Sequence, residues 1–293
     1  CRVVIYRAIE YGDITFNYYL HLKIAWLRSS FFLHYICIIN NVINKIKIMA
    51  EFNFPTEEIE LPSRGLVYSK DNPLSSGKVE IKYMTAKEED ILSNQAYIEN
   101  GTVLEKLLAS VIVSDINIKD LVVGDKNALL IATRILGYGS DYVFKYGGKE
   151  HQIDLSELEN KPFDGKDMID GQNEFAFTLP HSKTKITYKL LDGHDEFKIK
   201  RELKGLKKIN KNASPEASTR MKYAITSVNG ETESKNVREF VDNYFLARDA
   251  RAFREHLRVV QPDVDLDIVL DTGEEVTVPI GLSFFWPDFD DRA

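Results

Sequence analysis

The stretch KNALLIATRILGYG, residues 126–139, constrains this chain more than any other, because wound as a helix it is apolar on nearly every side. Such a helix has no face to offer water and must be surrounded by other elements. Asp125 stands directly before it and is expected to cap it, and Gly137 is expected to end it. Other helices are available as cover. In TVLEKLLASVI the residues Val103, Leu104, Leu107, Leu108 and Val111 recur at helical spacing. Thr85 and Glu88 have the spacing of a capping box at the head of AKEEDILSN. HDEFKIKRELKGLKKIN, EASTRMKYAITSV and SKNVREFVDNYFLARDARAFREHLRVV also read as helices. The last is expected to break near Leu246–Asp249, to bury Phe253, Leu257 and Val260 on one face, and to stop at Pro262.

The remaining segments read as strands. KVEIKYMT alternates, with Val79, Ile81 and Tyr83 on one face and Lys78, Glu80 and Lys82 on the other. SDYVFKYGGKEHQIDLS predicts a hairpin turning at Gly147-Gly148, and EFAFTLP with KTKITYKLL predicts a second turning at Pro180–Lys183. DLDIVLDTGEEVTVPIGLSFFWP predicts a final hairpin, turning at DTG, plus a strand. The fold class is therefore α+β: antiparallel hairpins packed with a mainly helical core.

Residues 1–48 differ from the rest. They hold both cysteines, Cys1 and Cys37, no methionine and no proline, and six Lys/Arg against two acids in a chain whose formal net charge is −7. They read as translated upstream sequence or a disordered extension, with the functional protein starting at Met49. A membrane-surface helix is the rival reading. Lys23 and Arg28 interrupt the apolar run well short of the roughly 20 residues that a span needs. Residues 49–77 are expected as an extended arm rich in Pro and Gly, and residues 78–293 as the α+β domain, with a β-hairpin subdomain over 140–191. From Met49 onward the chain lacks cysteine, which excludes a disulfide framework and a Cys-based zinc site there.

Motifs for chemistry are absent. DGHDE, with Asp192, His194, Asp195 and Glu196, matches neither a helical zinc motif nor a calcium loop, and reads as an acid-lined helix start. GYGSD and YGGK lack the order of a phosphate-binding loop and read as hairpin turns. No catalytic residue, metal site or cofactor is expected, and no enzyme activity. The charge pattern points to partners instead. KIKRELKGLKKINK, residues 198–211, carries seven Lys/Arg against one Glu, while residues 261–293 carry nine acids and one Arg. The basic block is a solvated helix face, a surface for an acidic protein, or a nucleic-acid contact, although no aromatic residue interleaves with its charges. Arg248, Arg251, Arg254 and Arg258 share a helix flank, and Glu255 has the spacing to pair with Arg251.

Three groups of residues carry a family resemblance: LPSRGLVYSKDNPLSSGKVEIKYMTAKEEDIL (61–92), GTVLEKLL (101–108), and RDARAFREHLRVVQPDVDLDIVL with VPIGLSFFWPD (248–270 and 278–288). Together they resemble the baseplate hub subunits and hub assembly chaperones of T-even-type contractile-tailed phages, over roughly residues 56–289. The resemblance implies a protein made in the host bacterial cytoplasm that helps build the central hub of the tail baseplate through protein–protein contacts with other hub proteins. It transfers no catalytic residue. The Pro/Ser/Gly-rich segment 61–77 is then expected either to clasp its own domain or to reach a neighbour. Arg64, Tyr68, Phe285 and Trp286 are the expected partner contacts, with Lys204, Lys207 and Lys208 of the basic block. The alternative is a phage accessory protein that binds nucleic acid through 198–211.

Overall fold

The computed structural model describes residues 55–209, 215–270 and 273–285, and these belong to one compact unit. They form eight helices and nine strands, an α+β fold. In chain order these are β1 (Thr56–Glu60), β2 (Lys78–Lys82), α1 (Ala86–Leu92), α2 (Gln95–Glu99), α3 (Val103–Val111) and α4 (Val123–Tyr138). Next come β3 (Asp141–Tyr146), β4 (Lys149–Asp154), β5 (Phe175–Thr178), β6 (Lys185–Tyr188) and α5 (Gly193–Ile209). The rest are α6 (Glu216–Ala224), β7 (Ile225–Val228), α7 (Ser234–Asn243), α8 (Ala247–Val260), β8 (Asp267–Val269) and β9 (Glu275–Thr277). Every strand pairing is antiparallel: β1 with β2, β3 with β4, β5 with β6 with β7, and β8 with β9.

Helix α4 is the axis of the larger core, as its composition requires. Ala128, Leu129, Leu130 and Ile131 are buried, and of the helix only Gly137 is exposed. Around it pack Val79 and Ile81 of β2, Leu92 of α1, Leu107, Leu108 and Val111 of α3, and Tyr142 and Phe144 of β3. Val276 of β9 and the closing pair Phe284 and Phe285 complete this core. Buried Arg134 ties the C-terminal end together: its guanidinium donates to the carbonyls of Phe284, Gly139 and Asp141 at 2.8–3.1 Å. A second core lies between the three-stranded sheet and the later helices. Phe175, Ile186 and Tyr188 face Met221, Val237, Val241 and Phe253 there. Tyr188 meets Phe253 edge to face, with ring centroids 5.2 Å apart.

Four differences from the sequence reading have physical causes. The segment EASTRMKYAITSV is half helix: Ile225–Val228 leaves α6 to become β7, pairing with β6. Its β-branched Ile225, Thr226 and Val228 suit a pleated strand better than a helix. Residues 140–191 are not a subdomain, because the β3–β4 hairpin buries Tyr142 and Phe144 in the first core while Phe175 and Tyr188 enter the second. The final SFF segment is a short 3-10 helix and not a strand, and seats both phenylalanines inward. The break between α7 and α8 falls at Tyr244–Leu246, slightly earlier than expected.

The Thr85–Glu88 pair forms as expected and does more than cap α1. The buried Glu88 carboxylate accepts from the Thr85 amide at 2.8 Å, the Thr85 hydroxyl at 2.6 Å, the Ser110 hydroxyl and the Lys82 ammonium at 3.1 Å. Burial pushes its pKa up, but these four donors together outweigh burial and hold it at about 2, from an ordinary 4.5. A carboxyl depressed in the folded state stabilises it above the unfolded pKa, and that contribution is lost as pH falls through the folded value. Acid titration of stability should therefore steepen between pH 4.5 and about 2. Glu88→Gln should cost about 1–3 kcal/mol at neutral pH and flatten that stretch of the curve, measured by urea melts at stepped pH.

Candidate partner-contact surfaces

The segment 61–77 clasps its own domain. Each turn closes on a backbone hydrogen bond: Arg64 N to Leu61 O, Leu66 N to Ser63 O, Tyr68 N to Gly65 O, Asn72 N to Ser69 O. Gly65, at φ +77°, lies so close to the chain opposite that an added Cβ would sit 2.4 Å from the Ser75 carbonyl oxygen. No L side chain is tolerated at that approach. Leu61, Val67 and Leu74 point inward and are buried.

What pins this segment is Asp125, and here the expectation of a helix cap is corrected. The residue before α4 is Val122, whose side chain makes no cap, and Asp125 sits fully buried in the first turn. Its carboxylate accepts from Ser63 N at 2.9 Å, from the Ser63 hydroxyl at 2.6 Å and from the Tyr68 hydroxyl at 2.6 Å. Tyr68 Oη in turn accepts from Val122 N at 3.1 Å. Burial pushes the Asp125 carboxyl above its ordinary value despite these donors. Burial and the neighbouring Asp125 also raise the Tyr68 phenol. Tyr68 packs against both cores, so this hydrogen-bonded group sits where they meet.

A buried aspartate at the third position of a helix recurs twice. The third residue of α5, Asp195, is buried and its carboxylate lies 2.6 Å from Lys189 Nζ. The third residue of α8, Asp249, is fully buried and accepts from the amides of His181 and Ser182 at 2.8 and 2.9 Å. A carboxylate there also meets the positive end of the helix dipole. Burial acts to raise the Asp249 carboxyl, but the His181 and Ser182 donors outweigh it and hold it below its ordinary value. Asp125 and Asp249 thus fix a loop from elsewhere in the chain to the start of a long helix, while Asp195 pairs with a lysine just before its own helix. Within DGHDE, Asp192 accepts from the Asp195 amide at 2.8 Å and His194 Nε2 lies 3.0 Å from Asp120 Oδ1, so the run is committed to starting α5.

The expected contact residues divide. Tyr68 is tied to Asp125, and Phe285 is fully buried against Phe284 with centroids 5.5 Å apart. Phe285 offers a partner no surface, which corrects that expectation, while Tyr68 is half-buried with its hydroxyl taken up inside the protein. Trp286 lies outside the described residues. Arg64 is exposed at φ +52°, on the rim of a 310 Å³ hollow shared with Lys78, Asn160 and Lys161. Lys204, Lys207 and Lys208 are exposed on α5, whose inward side is held by Ile199. Acids that could neutralise this block sit at its edge: Glu202 takes the Arg238 guanidinium at 2.9 Å, and Glu196 takes Arg220. Lys204, Lys207 and Lys208 are therefore left facing water. Replacing all three with alanine should change stability by less than about 0.5 kcal/mol, measured by thermal melts, because none supports the fold.

Among the described residues no group of three or more His, Cys, Asp and Glu side chains could hold a metal ion, and no helix is long and apolar enough to cross a membrane. No family model, curated protein or solved structure matches the chain.

Proposed function

We propose that this chain is a baseplate hub protein of a contractile-tailed phage, acting in baseplate assembly through contacts with other hub proteins, as a structural subunit or as an assembly chaperone. One observation supports this reading above the rest. The segments that carry the family resemblance come from both ends of the described chain, yet each contributes to the larger core, while Val67 and Phe253 go to the second. Leu61, Leu74, Val79, Ile81 and Leu92 from the first meet Val103, Leu107 and Leu108 from the second. Val264, Leu270, Val278, Phe284 and Phe285 from the last join them. The matched segments thus belong to one structural unit, which is compatible with a shared fold.

Quantitative mass spectrometry of purified particles beside infected-cell lysate tests the reading. Peptides of this chain at stoichiometric level in particles are expected for a structural subunit. Abundance in lysate, co-sedimenting with baseplate intermediates and missing from particles, is expected for a chaperone. A chain found neither in particles nor with any intermediate would overturn both forms.

A further inference from the structure

The second half of α8 and the outer side of α6 border a surface hollow over the edge of the second core. A 460 Å³ groove runs between them, with a floor of Leu190, Leu191, Met221, Ala224 and Leu257. Arg254 and Arg220 stand on its rim, and Ala217 forms part of its wall. The cations near it differ in one respect. Lys189 is held by Asp195, Arg220 by Glu196 and Glu216, and Arg258 by Asp267. Arg248, Arg251 and Arg254 are exposed and have no ion pair among the described residues. The expected Arg251–Glu255 pair does not form, although Glu255 shares the flank. Three-residue steps keep the three arginines within about a third of the helix circumference. Arg254 stands on the rim of the apolar floor, and Arg251 lies just under one helical turn before it on the same flank.

We propose that this groove is the docking site for an acidic, apolar segment of a partner protein: a leucine-type side chain on the floor, and carboxylates on Arg251 and Arg254. Charge complementarity selects this occupant. Unpaired guanidinium groups bind carboxylates as planar, two-pronged partners. Thioether and branched side chains such as Met221, Leu190 and Leu257 make an adaptable surface for another apolar residue. Nucleic acid fits less well, since none of the groove-lining residues is an aromatic on which a base could stack. The inference rests on the reading of the chain as a protein that works by contacts, and names the chemistry of one contact.

The test uses the purified full chain and a short fluorescein-labelled peptide that alternates glutamate with leucine, followed by anisotropy. Saturable binding is expected, weakened about tenfold or more by Arg251→Glu with Arg254→Glu. Ala217→Trp, which fills the groove without changing charge, should abolish it. Lys204→Glu with Lys207→Glu and Lys208→Glu, on α5, should leave it unchanged. All these positions are exposed, so unchanged melting curves are expected to accompany each result. Absence of saturable binding would overturn the proposal. So would equal loss in the α5 variant, or equal competition by an oligothymidylate. Failure of the groove and failure of the baseplate reading are separable. If hub proteins co-purify with the Arg251→Glu/Arg254→Glu chain as with the unaltered one, the groove fails and the reading stands. If the peptide binds as described but no baseplate protein co-purifies, the groove stands and the reading fails.

Discussion

Asp125→Ala is expected to cost about 3–4 kcal/mol, measured by urea unfolding, and to loosen residues 61–77 before the rest of the domain. The alanine leaves the Ser63 amide, the Ser63 hydroxyl and the Tyr68 hydroxyl without their acceptor in a site that admits little water. A buried donor left unpaired costs about 1–3 kcal/mol, and the two hydroxyls recover part of that by rotating. Asp125→Asn should cost less, about 1–2 kcal/mol, because its oxygen can still take the Ser63 amide and it removes a charge that burial disfavours. Tyr68→Phe should fall in the same lower range, losing the bonds to Asp125 and from Val122 N. Amide hydrogen exchange would show where the loss falls. The Leu66 and Tyr68 amides should lose protection in Asp125→Ala more than those of α5 do. Equal loss everywhere would mean that the carboxylate stabilises the whole domain and does not specifically pin the segment.

Gly124→Ala should be as damaging, for a steric reason. An added Cβ at Gly124 would lie 1.8 Å from the Pro262 carbonyl oxygen and 2.8 Å from the Asp263 Cα. Both are backbone atoms, so the start of α4 or the chain after α8 must move. Overpacking of this kind costs about 3 kcal/mol or more, only partly offset by the roughly 1 kcal/mol that alanine gains over glycine inside a helix. The neighbouring Asn127–Asp263 hydrogen bonds, at 3.1 and 3.2 Å, would stretch with it. A domain of this size should lose roughly 5–10 °C of melting temperature. Gly137→Ala in the same helix is the control. Its Cβ would meet only the flexible Met84 side chain, with the sulfur at 2.8 Å, so a change within about 1 kcal/mol is expected. Similar losses in both variants would mean that glycine is needed for backbone freedom and not for the approach of Pro262.

These two residues also mark how far the sequence could be read. Local signals were legible: the all-round apolar α4, the Gly147-Gly148 hairpin, the Thr85–Glu88 pair and the stop at Pro262 each depend on residues a few positions apart. The Asp125 clasp joins residues about sixty positions apart, and nothing in the local pattern separates a capping aspartate from one that turns inward. The signal for β7 was present in Ile225, Thr226 and Val228 but was overridden by the helical pattern leading into it. Phe285 illustrates the limit for function. An aromatic cluster near the end of the described chain reads equally as a contact or as core, and only packing decides for core: Phe285 lies against Phe284, which itself meets Tyr142 and accepts from Arg134. Lys204, Lys207 and Lys208 were legible as a charged face because exposure follows directly from charge. The unpaired state of Arg251 was not, since its spacing to Glu255 suits a pair that the fold does not make.

The central claim is that this chain works by holding other baseplate hub proteins. Affinity purification of the tagged full chain from infected cells, with the bound proteins and any nucleic acid quantified, tests it most directly. The account predicts one or a few hub proteins at near-stoichiometric amounts and no nucleic acid above that of a tag-only control. A chain recovered alone, or with nucleic acid that leaves steeply as salt rises, would contradict it.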